Sequence, residues 1–348
     1  MPRRLTIPLL IATISVSMLY TAFSSHQHTV EASIHTERRT DLVKRDAVPL
    51  PASQVPPPEI GEVRTLSAGQ VAAIKPFTWY ANAAWCPPAQ TIDWSCGVNC
   101  DGNPKFIPTM AGGDGFDTQY WFVGWDPVLK TVVVGHEGTE LVKIKPIVQD
   151  LRIILQPIDS VFFPGAPKEA KVHEGFLDAH EHSALEVHQW TRVTIKTWKA
   201  KEVMVVGHSL GASIALLSAL SLRARLPAEV TVRYYGYGQP RTGNKEFADW
   251  VDKMFGGRDN DFVHRIGRGK DPIAVAPSQD LTYQHNTGEL HISEGEIWHR
   301  CFGQENSDKR CLMGQVPSSN VLESDAKDHN GPFDGIRLGC NNTILLPE

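Results

Sequence analysis

The stretch Val203-Met204-Val205-Val206-Gly207-His208-Ser209-Leu210-Gly211-Ala212-Ser213 constrains the whole chain. An apolar, β-rich run meets Gly-x-Ser-x-Gly, and an apolar helical run follows to about Leu226. That order predicts a strand, a sharp turn and a helix, with Ser209 at the apex of the turn. The glycines at 207 and 211 let strand and helix approach without Cβ clashes, and the strained turn pushes the Ser209 hydroxyl into the open. The amides that begin the helix point toward charge developing near the serine.

The rest of the composition sets bounds. At 348 residues, 41% of them hydrophobic, the chain can bury one large core. A net charge of -5 with no basic stripe argues against nucleic acid as a partner. Pro2-Arg3-Arg4, the apolar run from Leu5 to about Phe23 and the small residues around Ala22-Phe23-Ser24 read as a secretory signal over 1–24. A signal anchor is the competing reading, because the run is near membrane-spanning length. Residues 25–58 are polar and Pro-rich, a propeptide or flexible lead with a possible cut after Arg45 in the pair Lys44-Arg45. One domain is expected over 59–348, secreted and extracellular, with no stable membrane insertion.

Six cysteines lie behind that leader: Cys86, Cys96, Cys100, Cys301, Cys311 and Cys340. An even number after a signal argues for disulfides, and their spacing leaves the pairing open. No two Cys-x-x-Cys pairs face each other, so neither a zinc site nor any other metal or cofactor is implied. Asn341-Asn342-Thr343 is a glycosylation sequon at Asn341.

Along the chain, Tyr120–Trp125 and Thr131–Val134 predict a β-hairpin turning at Asp126-Pro127. The second strand runs into Gly138-Thr139, where an acyl-transfer enzyme places its first oxyanion donor, although a Gly-Thr pair also makes an ordinary turn. Ile144, Ile147, Val148, Leu151, Ile154, Leu155 and Ile158 then recur at helical spacing around Pro146 and Pro157. That stripe is read as a mobile lid, with a packed core helix as the alternative. Glu174 to about Trp198 predicts a long amphipathic helix. Strands are expected at Val230–Tyr235 and Phe262–Ile266, separated by a helix that Asn244 caps and that runs to about Phe255. Strands alternating with helices say α/β, with a largely parallel sheet.

A serine hydroxyl is a poor nucleophile at neutral pH, so Ser209 needs a histidine to take its proton and a carboxylate to orient that histidine. Asp271 lies just past a strand, in a loop fixed by Pro272, and is the candidate acid. His208 packs inside the elbow and His264 sits on a strand. His285, His291, His299 and His329 all remain candidate bases, with His329 favoured by its polar, Gly/Pro-bounded loop.

Gly207-His208-Ser209-Leu210-Gly211, Val172-His173-Glu174-Gly175-Phe176, Gly238-Gln239-Pro240-Arg241-Thr242-Gly243-Asn244 and Asp328-His329 stand in one order. Together they resemble the fungal class 3 lipases, most nearly the basidiomycete branch. The resemblance implies an α/β-hydrolase fold, with a mostly parallel central sheet, helices on both faces and a lid segment. It implies a triad of Ser209, Asp271 and His329, which selects among the histidines, and an oxyanion hole from Thr139 and Leu210. It also implies the bridges Cys86–Cys340, Cys96–Cys100 and Cys301–Cys311. Two departures stand out: Glu137 occupies a position where better-known members carry arginine, and no tryptophan lies between Gly138 and Gly165. The expected activity is triacylglycerol lipase, a carboxylic-ester hydrolase acting on acylglycerols at a lipid–water interface. A feruloyl or other soluble-ester esterase and a catalytically inactive binding protein are the alternatives.

Overall fold

The computed structural model describes residues 61–139, 154–257, 260–316 and 325–340, all within one compact unit spanning Ala47–Glu348. The signal and lead expected over 1–58, lid residues Ile144, Ile147, Val148 and Leu151, and the sequon at Asn341 lie outside the described residues.

The strands, in chain order, open with β1 (Val63–Thr65), β2 (Ile107–Gly112), β3 (Trp121–Asp126) and β4 (Thr131–His136). There follow β5 (Leu155–Pro157), β6 (Lys171–His173), β7 (Glu202–His208), β8 (Thr231–Tyr237) and β9 (Gly243–Asn244). The last four are β10 (Val263–Arg268), β11 (Tyr283–Gln284), β12 (Glu289–Ser293) and β13 (Ile297–Cys301). The longer helices are α1 (Ala68–Ala83), α2 (Glu174–Trp198), α3 (Leu210–Arg225) and α4 (Lys245–Met254).

The large sheet runs β1-β13-β12-β10-β8-β7-β4-β3-β2. Its five central strands, from β12 to β4, pair in parallel, and the two strands at each edge pair antiparallel. Parallel neighbours need long crossovers, and α2, α3 and α4 lie in those connections. Short connections explain most of the antiparallel edge pairing, since β3 and β4 form the expected hairpin and β12 turns directly into β13, whereas β1 reaches β13 from the far end of the chain.

Both faces of the sheet are covered, as the alternation along β8 makes plain. Tyr234 hydroxyl donates to Ala212 O of α3 at 2.9 Å. Its neighbour Tyr235 stacks on Phe77 of α1, and the Tyr237 hydroxyl pairs with Thr78 of α1 at 2.9 Å. Successive strand residues point to opposite faces, so α1 and α3 sandwich the sheet. Burial on both sides explains why β7 reads as a continuous apolar run. Helix α1 starts at a capping box in which the Ser67 and Gln70 side chains each meet the other's backbone N–H.

A second, four-stranded antiparallel sheet, β11-β9-β6-β5, corrects part of the lid reading. Leu155 is not helical but sits in β5 opposite His173, and Ile154 is 47% exposed, its carbonyl accepting from Glu174 N–H. The cause is Pro157: it biases Gln156 to extended backbone and lacks the N–H that a helix would use.

Three disulfides close, Cys86–Cys340, Cys96–Cys100 and Cys301–Cys311. Beside the first, Asn99 Nδ2 donates to Asn82 O and Gly339 O, while Gly339 N–H donates to Asn82 Oδ1. The last described turn is thereby pinned to the end of α1.

Candidate active site

The elbow forms where the sequence puts it. Strand β7 ends at His208, α3 begins at Leu210, and Ser209 between them takes φ 59° and ψ -128°. A non-glycine residue in that region is strained, and the surroundings must hold it there. Ser209 N–H donates to Tyr237 O and Ser209 O accepts from Ala212 N–H, so neighbouring β8 and the first turn of α3 fix the serine from both sides. A Cβ on Gly207 would fall 2.1 Å from Gly211 O, and one on Gly211 would fall 2.2 Å from Glu137 O. The glycines therefore permit a three-way approach of strand, helix and the exit of β4, the segment that carries Gly138 and Thr139.

Asp271 lies three residues past β10 and is fully buried. Its Oδ1 accepts from Ile273 N–H at 2.8 Å, and its Oδ2 accepts from His329 Nδ1–H, also at 2.8 Å. His329 sits in a 3-10 turn, Ala326–Asn330, that is zipped onto the Asp271 loop. Lys270 N–H donates to Asp328 Oδ2, and Asp325 N–H donates to Lys270 O. With Nδ1 holding its proton toward Asp271, His329 Nε2 is left as an acceptor. Neither Nε2 nor Ser209 Oγ, both buried, meets a hydrogen-bond partner among the described residues.

The other histidines sit on other elements, and two of the candidate bases are hydrogen-bonded there. His285 Nε2–H donates to Ala274 O, and His299 pairs with Ser293 Oγ at 3.0 Å. His291 faces His299 across β12 and β13, and burial lowers its pKa to about 3. His264 packs against Tyr235 with the rings tilted, and its pKa is lowered to about 4, first by burial.

Thr139 is half-buried at the exit of β4, and Leu210 opens α3, where the first amides have no intrahelical acceptor. Glu137 Oε2 accepts from Tyr120 N–H at 2.8 Å, and Glu137 N–H donates to Tyr120 O at 2.8 Å. Glu137, read only as a departure, thus clamps this exit to β3.

Two features depart from the sequence reading. Ser209 is not open but fully buried. Its neighbour His208 is roofed by His329 and Trp85, with ring centroids at 4.6 and 5.5 Å, so distant loops cover the turn. His208 also holds His329: its Nε2–H donates to His329 O at 2.7 Å. Nothing in the local spacing of residues 208 and 329 signals that bond. For a metal, the buried trio Glu289, Cys301 and Cys311 has the proximity, but its two sulfurs are joined to each other and offer no thiolate.

The family described as lipase (class 3) matches residues 133–281. The secreted mono- and diacylglycerol lipase LIP4 of Malassezia restricta is 33% identical over 226 residues, 62% of this chain and 70% of that protein. LIP2 of the same species, also named a secreted mono- and diacylglycerol lipase, is 30% identical over 177 residues; the match spans about half of each protein, 50% of this chain and 55% of LIP2. The Lip2 lipase structure from Yarrowia lipolytica superposes with a TM-score of 0.69 at 24% identity, over 81% of this chain and 99% of that one. From the sequence shared with LIP4 and the architecture shared with the Yarrowia enzyme, it follows that the chain belongs to the class 3 lipase family and has the α/β-hydrolase fold.

Proposed function

We propose that this protein is a secreted serine hydrolase of carboxylic esters and that acylglycerols are its substrates. The observation that carries the reading is the Asp271–His329 pair, with Nε2 directed away from Asp271 and the strained Ser209 held beside His208. Ser209 Oγ attacks the ester carbonyl carbon while His329 Nε2 takes its proton. Asp271 holds the imidazole in that tautomer and stabilises its charged form. The amides of Thr139 and Leu210 receive the oxyanion, each worth on the order of 100-fold in rate. His329 then protonates the departing alcohol. Water, deprotonated by the same nitrogen, attacks the acyl-enzyme and releases the acid.

Mono- and diacylglycerols come first among substrates, after the names of the relatives. Triacylglycerol is the wider class expected from the sequence, and soluble aromatic esters are the competing one. Secretion follows the same relatives and suits three disulfides. The test is a fluorophosphonate probe together with a substrate panel. Label should appear on Ser209 of the parent and be lost in Ser209→Ala. Rates should be higher on emulsified mono- and dioleoylglycerol than on methyl ferulate. A Ser209→Ala protein with parental turnover, or preference for the ferulate, would sink the assignment.

A further inference from the structure

Phe116 is 83% exposed, more than any other large apolar side chain among the described residues. It stands at the tip of the β2–β3 hairpin, and the backbone there is tightly bonded. Asp114 Oδ1 accepts from the N–H groups of Phe116 at 2.8 Å and Thr118 at 3.0 Å. The N–H groups of Asp114 and Gly115 donate to Thr118 O. From the flank, His182 of α2 donates through Nδ1–H to Asp117 O. The side chain is therefore largely exposed on a structured turn.

The tip is also at the site's end of the sheet. Gly112 pairs with Trp121, and Trp121 pairs with His136. One residue further, the paired bonds between Tyr120 and Glu137 join the hairpin to the strand exit that leads to Gly138 and Thr139. Charge selects the kind of surface. Residues 107–120 contain no lysine, arginine or histidine, while Asp114 and Asp117 flank the ring. The amides of Phe116 and Thr118 hold the Asp114 carboxyl below its usual range, so it stays ionised. Such a tip is repelled by anionic headgroups, and an uncharged apolar phase is what removes its ring from water.

Resting on the acylglycerol reading above, we propose that the β2–β3 tip is an interface anchor. Phe116 enters an uncharged acylglycerol surface, and the Tyr120–Glu137 bonds fix Gly138 and Thr139 relative to that surface.

Two measurements test this. In kinetics on emulsified dioctanoylglycerol, Phe116→Ser should raise the droplet surface needed for half-maximal rate about tenfold, the order expected for withdrawing one buried phenyl ring. The rate on dissolved p-nitrophenyl acetate should stay at the parent's value, and Phe116→Trp should restore droplet binding. An unchanged half-saturation in Phe116→Ser overturns the anchor. The second measurement needs no turnover. All six cysteines are paired, so Phe116→Cys in a Ser209→Ala background offers a lone thiol to an environment-sensitive dye. Emission should shift to the blue on acylglycerol droplets, and more on phosphatidylcholine than on phosphatidylglycerol vesicles. No shift on droplets, or a larger one on the anionic vesicles, overturns the anchor. A blue shift alongside a parent that hydrolyses no acylglycerol would overturn the assigned activity alone, whereas hydrolysis without a shift would overturn the anchor alone.

Discussion

His208 donates its Nε2–H to the main-chain carbonyl of His329 across a separation of 121 residues. The residue before the proposed nucleophile, Ser209, thus holds the loop of the proposed base. Burial, and then the nearby His329, keep its imidazole well below the usual pKa, so His208 stays neutral through the proposed cycle. Replacing it leaves a buried carbonyl unsatisfied, a penalty of about 1–3 kcal/mol. His208→Leu should lower kcat about tenfold with KM little changed, at the rate expected for a misplaced base. His208→Gln, which keeps a donor, should recover part of that loss. Steady-state kinetics beside a thermal melt separate the two roles, since a lowered Tm with parental kcat would mean His208 only stabilises.

Gly238 takes φ +55°, and a Cβ there would lie 2.9 Å from His329 Nδ1 and 3.2 Å from Asp271 Oδ2. Both groups are buried and bonded to each other, so neither can move aside without loosening the pair. Gly238→Ala should cut kcat on the order of 100-fold, the effect of a displacement near 1 Å. Fluorophosphonate labelling should slow in step, and parental labelling would count against the cause.

Glu137 is expected to position the proposed oxyanion segment through its bonds to Tyr120. Glu137→Ala removes the acceptor for Tyr120 N–H while leaving the backbone bond to Tyr120 O. Turnover of dissolved and emulsified esters should fall together, by about tenfold, because one oxyanion donor is worth somewhat more than that. The droplet surface at half-maximal rate should not move. Glu137→Gln retains an acceptor oxygen and should restore most of the rate.

Acid should destabilise the fold through its buried imidazoles. Burial lowers His136 and His291 to about 3, and His173 and His264 to about 4, while His180 is pushed well below its usual value. Above pH 7 neither the folded nor the unfolded chain protonates them, and they add no pH dependence. As pH falls below about 6.5 the unfolded chain binds protons that the folded one refuses. Stability should then drop by about 1.4 kcal/mol per pH unit for each such imidazole, until the folded groups themselves titrate near 3 to 4. His180, wedged against Phe162 and Phe163, has neither ring nitrogen bonded among the described residues. His180→Leu should therefore flatten the fall, measured by urea midpoints between pH 7 and 4.5. An unchanged slope would refute its part.

Much of the frame was readable because periodic burial leaves a long signal. Helix α2 spans Glu174–Trp198 as its amphipathic pattern predicts, and Asn244 accepts from Phe247 N–H to cap α4. The elbow was legible because strand, glycines and helix are contiguous. Short elements were not: β5 has three residues and carries the tail of an apolar stripe that mimics a helix. The pairing of β1 with β13 and the Lys270–Asp328 zipper depend on which distant segments meet, a fact no local window holds. The choice of His329 over His285, His291 and His299 came from the resemblance. Its partnership with His208 was invisible, since a histidine on a buried strand ordinarily signals packing.

Cys86 and Cys340 make the polypeptide between them a closed covalent ring, and Ser209, Asp271 and His329 all lie on it. A protease that severs one peptide bond inside that ring opens it without releasing a fragment, so the nicked molecule keeps its three side chains on one covalent body. Detaching any of them takes a second cut or a reductant.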